Sequence, residues 1–435
     1  MATQHASSKV NWPVLLCWIA VALDGFDLVT LGAVIPTLLD GGLPGFTPEA
    51  ATFISTVGLV GVGIGAVSVG PVIDSLGRRS ALLASVGLFS VFTLLIAVSP
   101  NSYVFGTFRF IAGLGLGACL PTALTMISEY ASPGRRSRAT TRMMTGYHVG
   151  AVLTSLLAII LVPHWQLLFV IGGVAGLIVL AVMWFKLPET PAFRAVTAGS
   201  ANSVTATSAA ANSVTATSAA ASSGAASSEA RAAAGRATSL ARRPFLTLSI
   251  AISVTSFMGL LLVYGLNTWL PQLMALAGYD LGQSLAQLLV LNVGAVIGLL
   301  IGGRVADRHG TKPSTLVWFG ASAVFLALLS VRIDNTLLLY AAVLVTGLFV
   351  FSSQVLVYAF VTQLYPPQVR GRALGMAAGI GRIGAIAGPA ITGVLVSAGI
   401  AYPWGFYVFA LVAVLAVLAL LFVPRQLPAA AGSSI

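Results

Sequence analysis

Apolar stretches of about 20 residues recur along the whole chain and limit what it can fold into. A stretch of this length crosses a bilayer as a helix, because a backbone in lipid has to satisfy its own hydrogen bonds. Twelve are recognisable, at about 12–39, 52–73, 80–98, 102–130, 138–162, 166–186, 245–272, 281–306, 312–331, 335–365, 371–398 and 402–423. The period-two alternation of outer-membrane strands is absent. We therefore expect an all-α polytopic membrane protein with twelve transmembrane helices.

The composition agrees with this reading. Of 435 residues, 57% are hydrophobic and 8% charged, against about 25% charged in soluble proteins. The first span is too long for a cleavable signal peptide, and two aspartates interrupt it. Cys17 and Cys119 fall inside spans, so we expect two buried thiols and no disulfide. Metal-ligand clusters, nucleophile motifs and the Walker pattern are missing. The sequence thus predicts neither an enzyme nor a bound metal or cofactor.

The net charge of +11 reflects membrane topology. Lys and Arg are missing from alternate connections between spans, at 40–51, 99–101, 163–165, 273–280 and 399–401, and cluster at the opposite ends. Because positive residues stay on the cytoplasmic side, both termini and the 187–244 loop are predicted to be cytoplasmic. The charge therefore gives no reason to expect a nucleic-acid partner. We expect a monomer in the inner, cytoplasmic membrane of the cell.

A long loop divides the spans into six and six. Residues 187–244 are rich in Ala, Ser and Thr, and the decapeptide ANSVTATSAA occurs there twice in tandem. Such a composition cannot bury apolar surface, which predicts a disordered cytoplasmic linker. The expected domains are an N-terminal six-helix bundle at 1–186, the linker at 187–244, a C-terminal bundle at 245–425 and a cytoplasmic tail at 426–435.

The two halves repeat each other in sequence. GPVIDSLGRR at 70–79 corresponds to GRVADRHGTK at 303–312, and EYASPGRRSRA at 129–139 corresponds to QLYPPQVRGRA at 363–373. Two charged loops at matching places indicate an internal duplication. The bundles should therefore be pseudo-symmetric.

Four charged residues inside the spans are not explained by topology. They are Asp24 and Asp27 in span 1, Arg109 in span 4 and Arg382 in span 11. A charge at a helix centre costs about 2.5–3.5 kcal/mol, so each needs a partner or a water-filled cavity. At 1.5 Å per residue, Asp27 lies roughly 22 Å deep, near the level of Arg109. Buried intramembrane charge favours a transport path, and a purely structural ion pair is the alternative.

The duplication adds a fifth candidate. His148 in span 5 aligns with Arg382 in span 11, and both lie at mid-depth. His148 is either a substrate contact or a satisfied core histidine. Glu129, beside the basic 135–138 loop, is expected to form a structural ion pair.

The repeated loop resembles the signature of the major facilitator superfamily, G-x-x-x-D-x-x-G-R-R/K. The resemblance implies the major facilitator fold, two pseudo-symmetric six-helix bundles, and secondary transport by alternating access. It also implies a gating role for these loop residues: Gly70, Asp74, Gly77, Arg78, Arg79, Gly303, Asp307, Arg308, Gly310 and Lys312. In the second copy Thr311 replaces a basic residue. The alternative is that these charges only set topology.

Further motifs resemble the aromatic acid:proton symporters of this superfamily. They are DGFD in span 1, GLGLGACLPTALTMISEY in span 4, GRIGAIAGP in span 11 and LPETPAF after span 6. The resemblance implies proton coupling by Asp24 and Asp27 and carboxylate handling by Arg109 and Arg382. The span-5 pattern typical of drug antiporters is absent, which argues against multidrug export.

Physical chemistry points the same way. Moving an anion inward against an inside-negative potential costs about 2.3 kcal/mol per charge per 100 mV. Cotransported protons can offset this cost. Arginine binds carboxylates bidentately, while Phe26 and Tyr264 could contact an aromatic ring, although such aromatics also occur in cores. The expected partners are therefore a small aromatic carboxylate, such as benzoate, hydroxybenzoate or gentisate, together with protons and the lipid bilayer.

Two alternatives stay open at this stage. A sugar, dicarboxylate or osmolyte porter would use the same mechanism, although two mid-membrane arginines do not suit a neutral sugar. A non-transporting membrane sensor would need a signalling domain, for which the linker is poorly suited.

Overall fold

The computed structural model describes residues 12–130, 136–161, 164–191, 193–194, 245–365 and 367–423, and these contain twelve long helices. The helices are α1 (Trp12–Thr37), α2 (Pro48–Leu76), α3 (Arg78–Ile96), α4 (Ser102–Tyr130), α5 (Arg136–Leu161), α6 (Gln166–Lys186), α7 (Phe245–Leu276), α8 (Leu281–His309), α9 (Thr311–Leu328), α10 (Thr336–Leu364), α11 (Pro367–Ser397) and α12 (Ala401–Leu421). The expected linker beyond Arg194, the tail 426–435, the connection 131–135 and the side chains of 136–141 lie outside the described residues.

Eleven of these helices are long and apolar enough to cross a membrane. The exception is α9, whose 18 residues begin with the polar segment TKPST. The chain is an all-helical, multi-pass membrane protein, as the recurring apolar stretches predict.

The signature motifs are not loops, contrary to the sequence-based expectation. Helix α2 continues to Leu76 and α3 begins at Arg78, so Gly77 is the whole connection. Helix α8 likewise continues to His309, and Gly310 alone separates it from α9. Both glycines have φ of 89°, a conformation that a side chain disfavours. Because the chain reverses at a single glycine, the charged residues of each motif belong to the ends of the flanking helices and not to an extended loop.

Glycines on α4 allow close packing on two sides. A Cβ at Gly113 would lie 2.3 Å from the Gly58 carbonyl oxygen of α2, and one at Gly117 would lie 2.0 Å from that of Val62. At Gly115 it would lie 2.8 Å from the Phe89 backbone nitrogen of α3. Helix α4 therefore packs closely against both α2 and α3.

The duplication is visible in packing as well as in sequence. Helix α1 packs on α5, where a Cβ at Gly150 would lie 1.8 Å from the Ala22 carbonyl oxygen. Helix α7 packs on α11 in the same way, with Gly384 against the Phe257 carbonyl at 2.0 Å. Gly150 and Gly384 are related by the 234-residue offset of the duplication.

The chain forms two compact units that do not follow the linker boundary. The first combines residues 1–195 with 267–296 and 389–399, and the second contains 196–266, 297–388 and 400–435. Within the first unit, a Cβ at Gly32 of α1 would lie 2.0 Å from the Asn267 carbonyl oxygen of α7. The division into bundles at the linker stays a prediction.

Candidate functional site

The Asp24–Asp27 segment is buried in the middle of α1. Asp24 and Asp27 are 4% and 3% exposed, and they lie one turn apart on the same helix. Between them, a Cβ at Gly25 would lie 2.0 Å from the Tyr147 carbonyl oxygen of α5. Only glycine therefore allows α5 to approach the backbone at the position where the two carboxylates are held.

Asp27 forms a buried ion pair with Arg109 of α4, from 82 residues away in sequence. Arg109 Nη1 donates to Asp27 Oδ1, and Nη2 donates to the Asp27 backbone carbonyl at 2.9 Å. Arg109 is itself 4% exposed. One guanidinium therefore neutralises the carboxylate and satisfies the backbone beside it, which is the charge compensation that intramembrane aspartates require.

The second carboxylate oxygen of Asp27 also has a partner. Thr93 Oγ1 of α3 donates to Asp27 Oδ2. One residue earlier, the Phe26 carbonyl accepts from Thr154 Oγ1 of α5 at 2.8 Å and from Thr30 Oγ1 of α1 at the same distance. Hydroxyls from three helices thus surround the DGFD segment, and the hydroxyl of Thr93 orients the Asp27 carboxylate.

Two glycines make room for side chains at this site. A Cβ at Gly58 of α2 would lie 2.9 Å from Arg109 Cγ, and one at Gly172 of α6 would lie 2.9 Å from the Phe26 ring. Phe26 is buried beside α6, so its ring contributes to packing in this conformation. Its proposed contact with a substrate ring stays a prediction.

The C-terminal candidates lie on α7 and α11. Arg382 Nη1 donates to the Tyr264 hydroxyl at 3.0 Å, and both residues are half-buried. His148, the sequence mate of Arg382, is buried on α5 with its ring packed edge-on against Tyr147 at 5.2 Å between centroids. The structure thus brings together Asp27 with Arg109 and Arg382 with Tyr264. Within the described residues, no group of three or more His, Cys, Asp or Glu side chains could hold a metal ion.

The first signature turn, at Gly77, is held by two acidic residues from elsewhere in the chain, one on α4 and one in the segment after α6. Arg78 Nε donates to Glu129 Oε1 of α4 at 3.0 Å, whereas Asp74 lies farther away, at 3.8 Å, and its side chain is exposed. Glu189, after α6, accepts from the backbone N–H of Arg78 at 3.1 Å and from that of Arg79 at the same distance. A carboxylate at these N–H groups caps α3 and matches its dipole. Glu189 belongs to the LPETPAF motif.

At the second signature turn, around Gly310, a neutral contact stands in place of this ion pair. Thr311 Oγ1 donates to Gln363 Oε1, at the positions that correspond to Arg78 and Glu129 in the duplication. Lys312 Nζ donates to the carbonyls of Leu421 and Val423 at the end of α12. Asp307 and Arg308 are exposed. The missing basic residue at Thr311 is therefore accompanied by a missing acid at Gln363.

The helices, the duplicated turns and the charged pair agree with a family comparison. The model of the Major Facilitator Superfamily matches residues 17–298 and 288–434. The chain belongs to the major facilitator superfamily. This superfamily consists of membrane transporters, not of enzymes, and its fold supports secondary transport.

Relatives of this facilitator are named as transporters of aromatic acids. It is 33% identical over 414 residues to the gentisate transporter of Corynebacterium glutamicum, covering 94% of this chain and 86% of the relative. It is 32% identical to the benzoate transport protein of Acinetobacter baylyi, covering 94% and 88%. It is 29% identical to a 4-hydroxybenzoate transporter of Pseudomonas aeruginosa, covering 92% and 88%.

A solved structure shares the fold at much lower identity. The crystal structure of a D-xylose-proton symporter superposes with a TM-score of 0.72 at 16% identity, covering 95% of this facilitator and 97% of that chain. At this identity the likeness concerns the fold alone.

Sequence reasoning missed Thr93, Thr154, Gly58 and the capping role of Glu189. Threonine and glycine occur throughout these spans, so their residue type gave no signal. Glu189 was visible as part of a quoted motif, but only the structure shows that its carboxylate reaches the N-terminus of α3.

Proposed function

We propose that this facilitator imports a small aromatic carboxylate together with protons, by alternating access. It does so across the cytoplasmic membrane, with both termini in the cytoplasm, and acts as a monomer. The relatives that transport gentisate, benzoate and 4-hydroxybenzoate support the substrate class, because each is related over most of its length.

The buried Asp27–Arg109 pair is the observation that carries the proposal. Empty, the pair has no net charge. A substrate carboxylate entering alone would add a negative charge to a site that is only 3–4% exposed, where uncompensated charge is strongly disfavoured. If Asp27 takes up one proton as Arg109 turns to the substrate, the loaded site keeps the net charge that it had when empty. Substrate and proton therefore enter together.

In this exchange, Arg109 and Asp27 each gain a new partner when they lose one another. The Arg109 guanidinium leaves Asp27 Oδ1 and binds the substrate carboxylate bidentately. Asp27 Oδ1 accepts a proton from the outer solution. On the cytoplasmic side the substrate leaves, the proton passes to water, and Arg109 pairs with Asp27 again. Net movement is one anion and at least one proton, so the membrane potential no longer opposes uptake.

Arg382 is proposed as a second carboxylate ligand, oriented by Tyr264. Its contact with the Tyr264 hydroxyl at 3.0 Å restricts the rotation of a long side chain, which reduces the entropy lost when a ligand binds. Asp24, one turn from Asp27, is proposed to adjust its neighbour's proton affinity through like-charge repulsion. The signature turns, with Gly77 and Gly310, are proposed to gate the cytoplasmic side.

The test is uptake by purified protein in vesicles. With an acidic exterior, labelled benzoate, 4-hydroxybenzoate or gentisate should accumulate inside, and a protonophore should abolish accumulation. Accumulation of an aromatic acid that persists with the protonophore would reject proton symport.

Unlabelled D-xylose and succinate serve as competitors in the same assay. They represent the sugar and dicarboxylate alternatives, and neither should reduce uptake of the aromatic acid. Transport of either compound in preference to every aromatic acid would reject the substrate class.

A further inference from the structure

Thr93 directs its hydroxyl differently from most buried threonines of this protein. In Thr30, Thr122 and Thr346 the hydroxyl donates to a carbonyl four residues earlier in its own helix, at 2.7–2.8 Å. This is the usual local bond of threonine in a helix. Thr93 is 2% exposed, and its hydroxyl instead crosses from α3 to Asp27 Oδ2 on α1.

We propose that Thr93 is a positioning residue for proton coupling, which directs the transported proton to Oδ1 of Asp27. The inference rests on the proposed function, in which Asp27 carries that proton. Thr93 does not carry the proton itself.

The two oxygens of Asp27 are distinguished by their partners. Oδ1 faces Arg109, which can turn away, whereas Oδ2 faces Thr93 on a packed helix. When Arg109 leaves, Oδ1 loses its donor and Oδ2 keeps one. A proton from the outer solution then binds Oδ1, and Oδ2 becomes the carbonyl oxygen of the acid, still accepting from Thr93. Release to water on the cytoplasmic side frees Oδ1 for the returning Arg109.

Thr93 also sets how firmly the proton is held. A hydrogen bond to a carboxylate is stronger than one to a neutral carbonyl, so Thr93 stabilises the ionised form more than the protonated form. It therefore favours release of the proton into the cytoplasm.

Other ionisable side chains lie inside the helices that pack around Asp27 and are the same in every variant. They are Asp24 and Cys17 on α1, Arg109 and Cys119 on α4, and Tyr147 and His148 on α5, while the charged side chains described on α3 and α6 lie near helix ends. None of these groups is altered in the variants below, so a shift between variants belongs to the Thr93 hydroxyl.

The test compares the external-pH profile of uptake for Thr93→Val, Thr93→Ser and wild type in vesicles. Valine keeps the shape but removes the donor, so the ionised Asp27 carboxylate loses a stabilising hydrogen bond. The alkaline limb of the profile should move upward by roughly one pH unit, and the maximal rate should fall because release slows. Serine keeps the donor and should keep the wild-type limb.

Thr122→Val is the matched control, because Thr122 is also fully buried but donates to its own helix. It should leave the alkaline limb in place. An unshifted Thr93→Val profile, or an equal shift in Thr93→Ser or Thr122→Val, would overturn the inference.

Two further measurements keep the outcome decisive. Should Thr93→Val fail to reach the membrane, Thr93→Ala removes the hydroxyl without adding a methyl group and should show the same shift. Protonophore-insensitive uptake by wild type would reject the proposed function itself. Protonophore-sensitive uptake with no shift in either donorless variant would reject only the role of Thr93.

Discussion

The Arg109 guanidinium of α4 contacts Asp27 of α1 at two places, the side-chain carboxylate and the backbone carbonyl, the latter at 2.9 Å. A buried ion pair is a weak source of stability, because desolvation of both charges offsets their attraction. Breaking it by removing one partner is nevertheless costly. This energetic balance supports the proposal that the pair exchanges partners during transport.

Replacing Asp27 by Asn should abolish proton-driven accumulation while substrate exchange continues. Asparagine resembles the protonated acid in shape but cannot gain or lose the proton. Counterflow, which needs no net proton movement, should remain measurable, and Asp24→Asn should be milder in both assays. The measurement is uptake beside counterflow at matched abundance. Accumulation against a gradient by Asp27→Asn would mean that another group carries the proton.

The same variant leaves Arg109 without its counter-ion, so abundance needs its own control. An unpaired buried charge costs about 3–5 kcal/mol, and Asp27→Asn should therefore lower the amount of folded protein. The double variant Asp27→Asn/Arg109→Gln removes both charges and should restore abundance, but not accumulation. Immunoblots of membranes measure the abundance. No recovery in the double variant would contradict the role of charge balance.

Replacing Arg382 by Lys should impair substrate affinity although the positive charge is kept. A point ammonium cannot reproduce the planar fork that binds a carboxylate. Losing one charge-assisted hydrogen bond raises KM by roughly 10- to 100-fold. Tyr264→Phe should raise KM by less, since it removes only the bond that orients Arg382. A near-normal KM for Arg382→Lys would mean that Arg382 is not a bidentate ligand.

Gly25 and Gly70 should respond differently to the same substitution. In Gly25→Ala the new Cβ would lie 2.0 Å from the Tyr147 carbonyl oxygen, whereas at Gly70 nothing lies within 4 Å. Overpacking of this kind costs about 1–3 kcal/mol, so Gly25→Ala should lower membrane abundance and thermal stability. Gly70→Ala should keep both. Equal stability of the two variants would contradict the close packing of α1 on α5.

The Arg78–Glu129 ion pair of the first signature turn should be replaceable by the neutral Thr–Gln contact found at the second. Glu129→Gln leaves Arg78 without its acidic partner and should destabilise the protein, while Arg78→Thr/Glu129→Gln copies the Thr311–Gln363 contact. The double variant should be less destabilised than the sum of the single ones. We expect a coupling of about 1 kcal/mol in thermal unfolding in detergent. Strictly additive effects would show that the pair is not coupled.

Part of the site was accessible from sequence because buried charge is conspicuous in an apolar span. Asp27 and Arg109 were identified as partners from their depths, although 82 residues separate them. The pairing of Arg382 with Tyr264 could not be predicted, because it depends on how far α7 and α11 are rotated about their axes. The contact of Thr93 with Asp27 could not be predicted for the same reason, since it depends on helix rotation and Thr93 is one of many threonines in the spans.

The sequence by itself determined the number and type of the helices, the duplication and the residues that carry charge into the membrane. These follow from local properties, since hydrophobic length and charge act on each span separately. Only the tertiary structure decided which hydroxyl reaches Asp27, which carboxylate caps α3 and which glycines touch a neighbouring backbone. Those contacts depend on helix rotation and translation, which a span of uniformly apolar residues leaves undetermined until its neighbours pack against it.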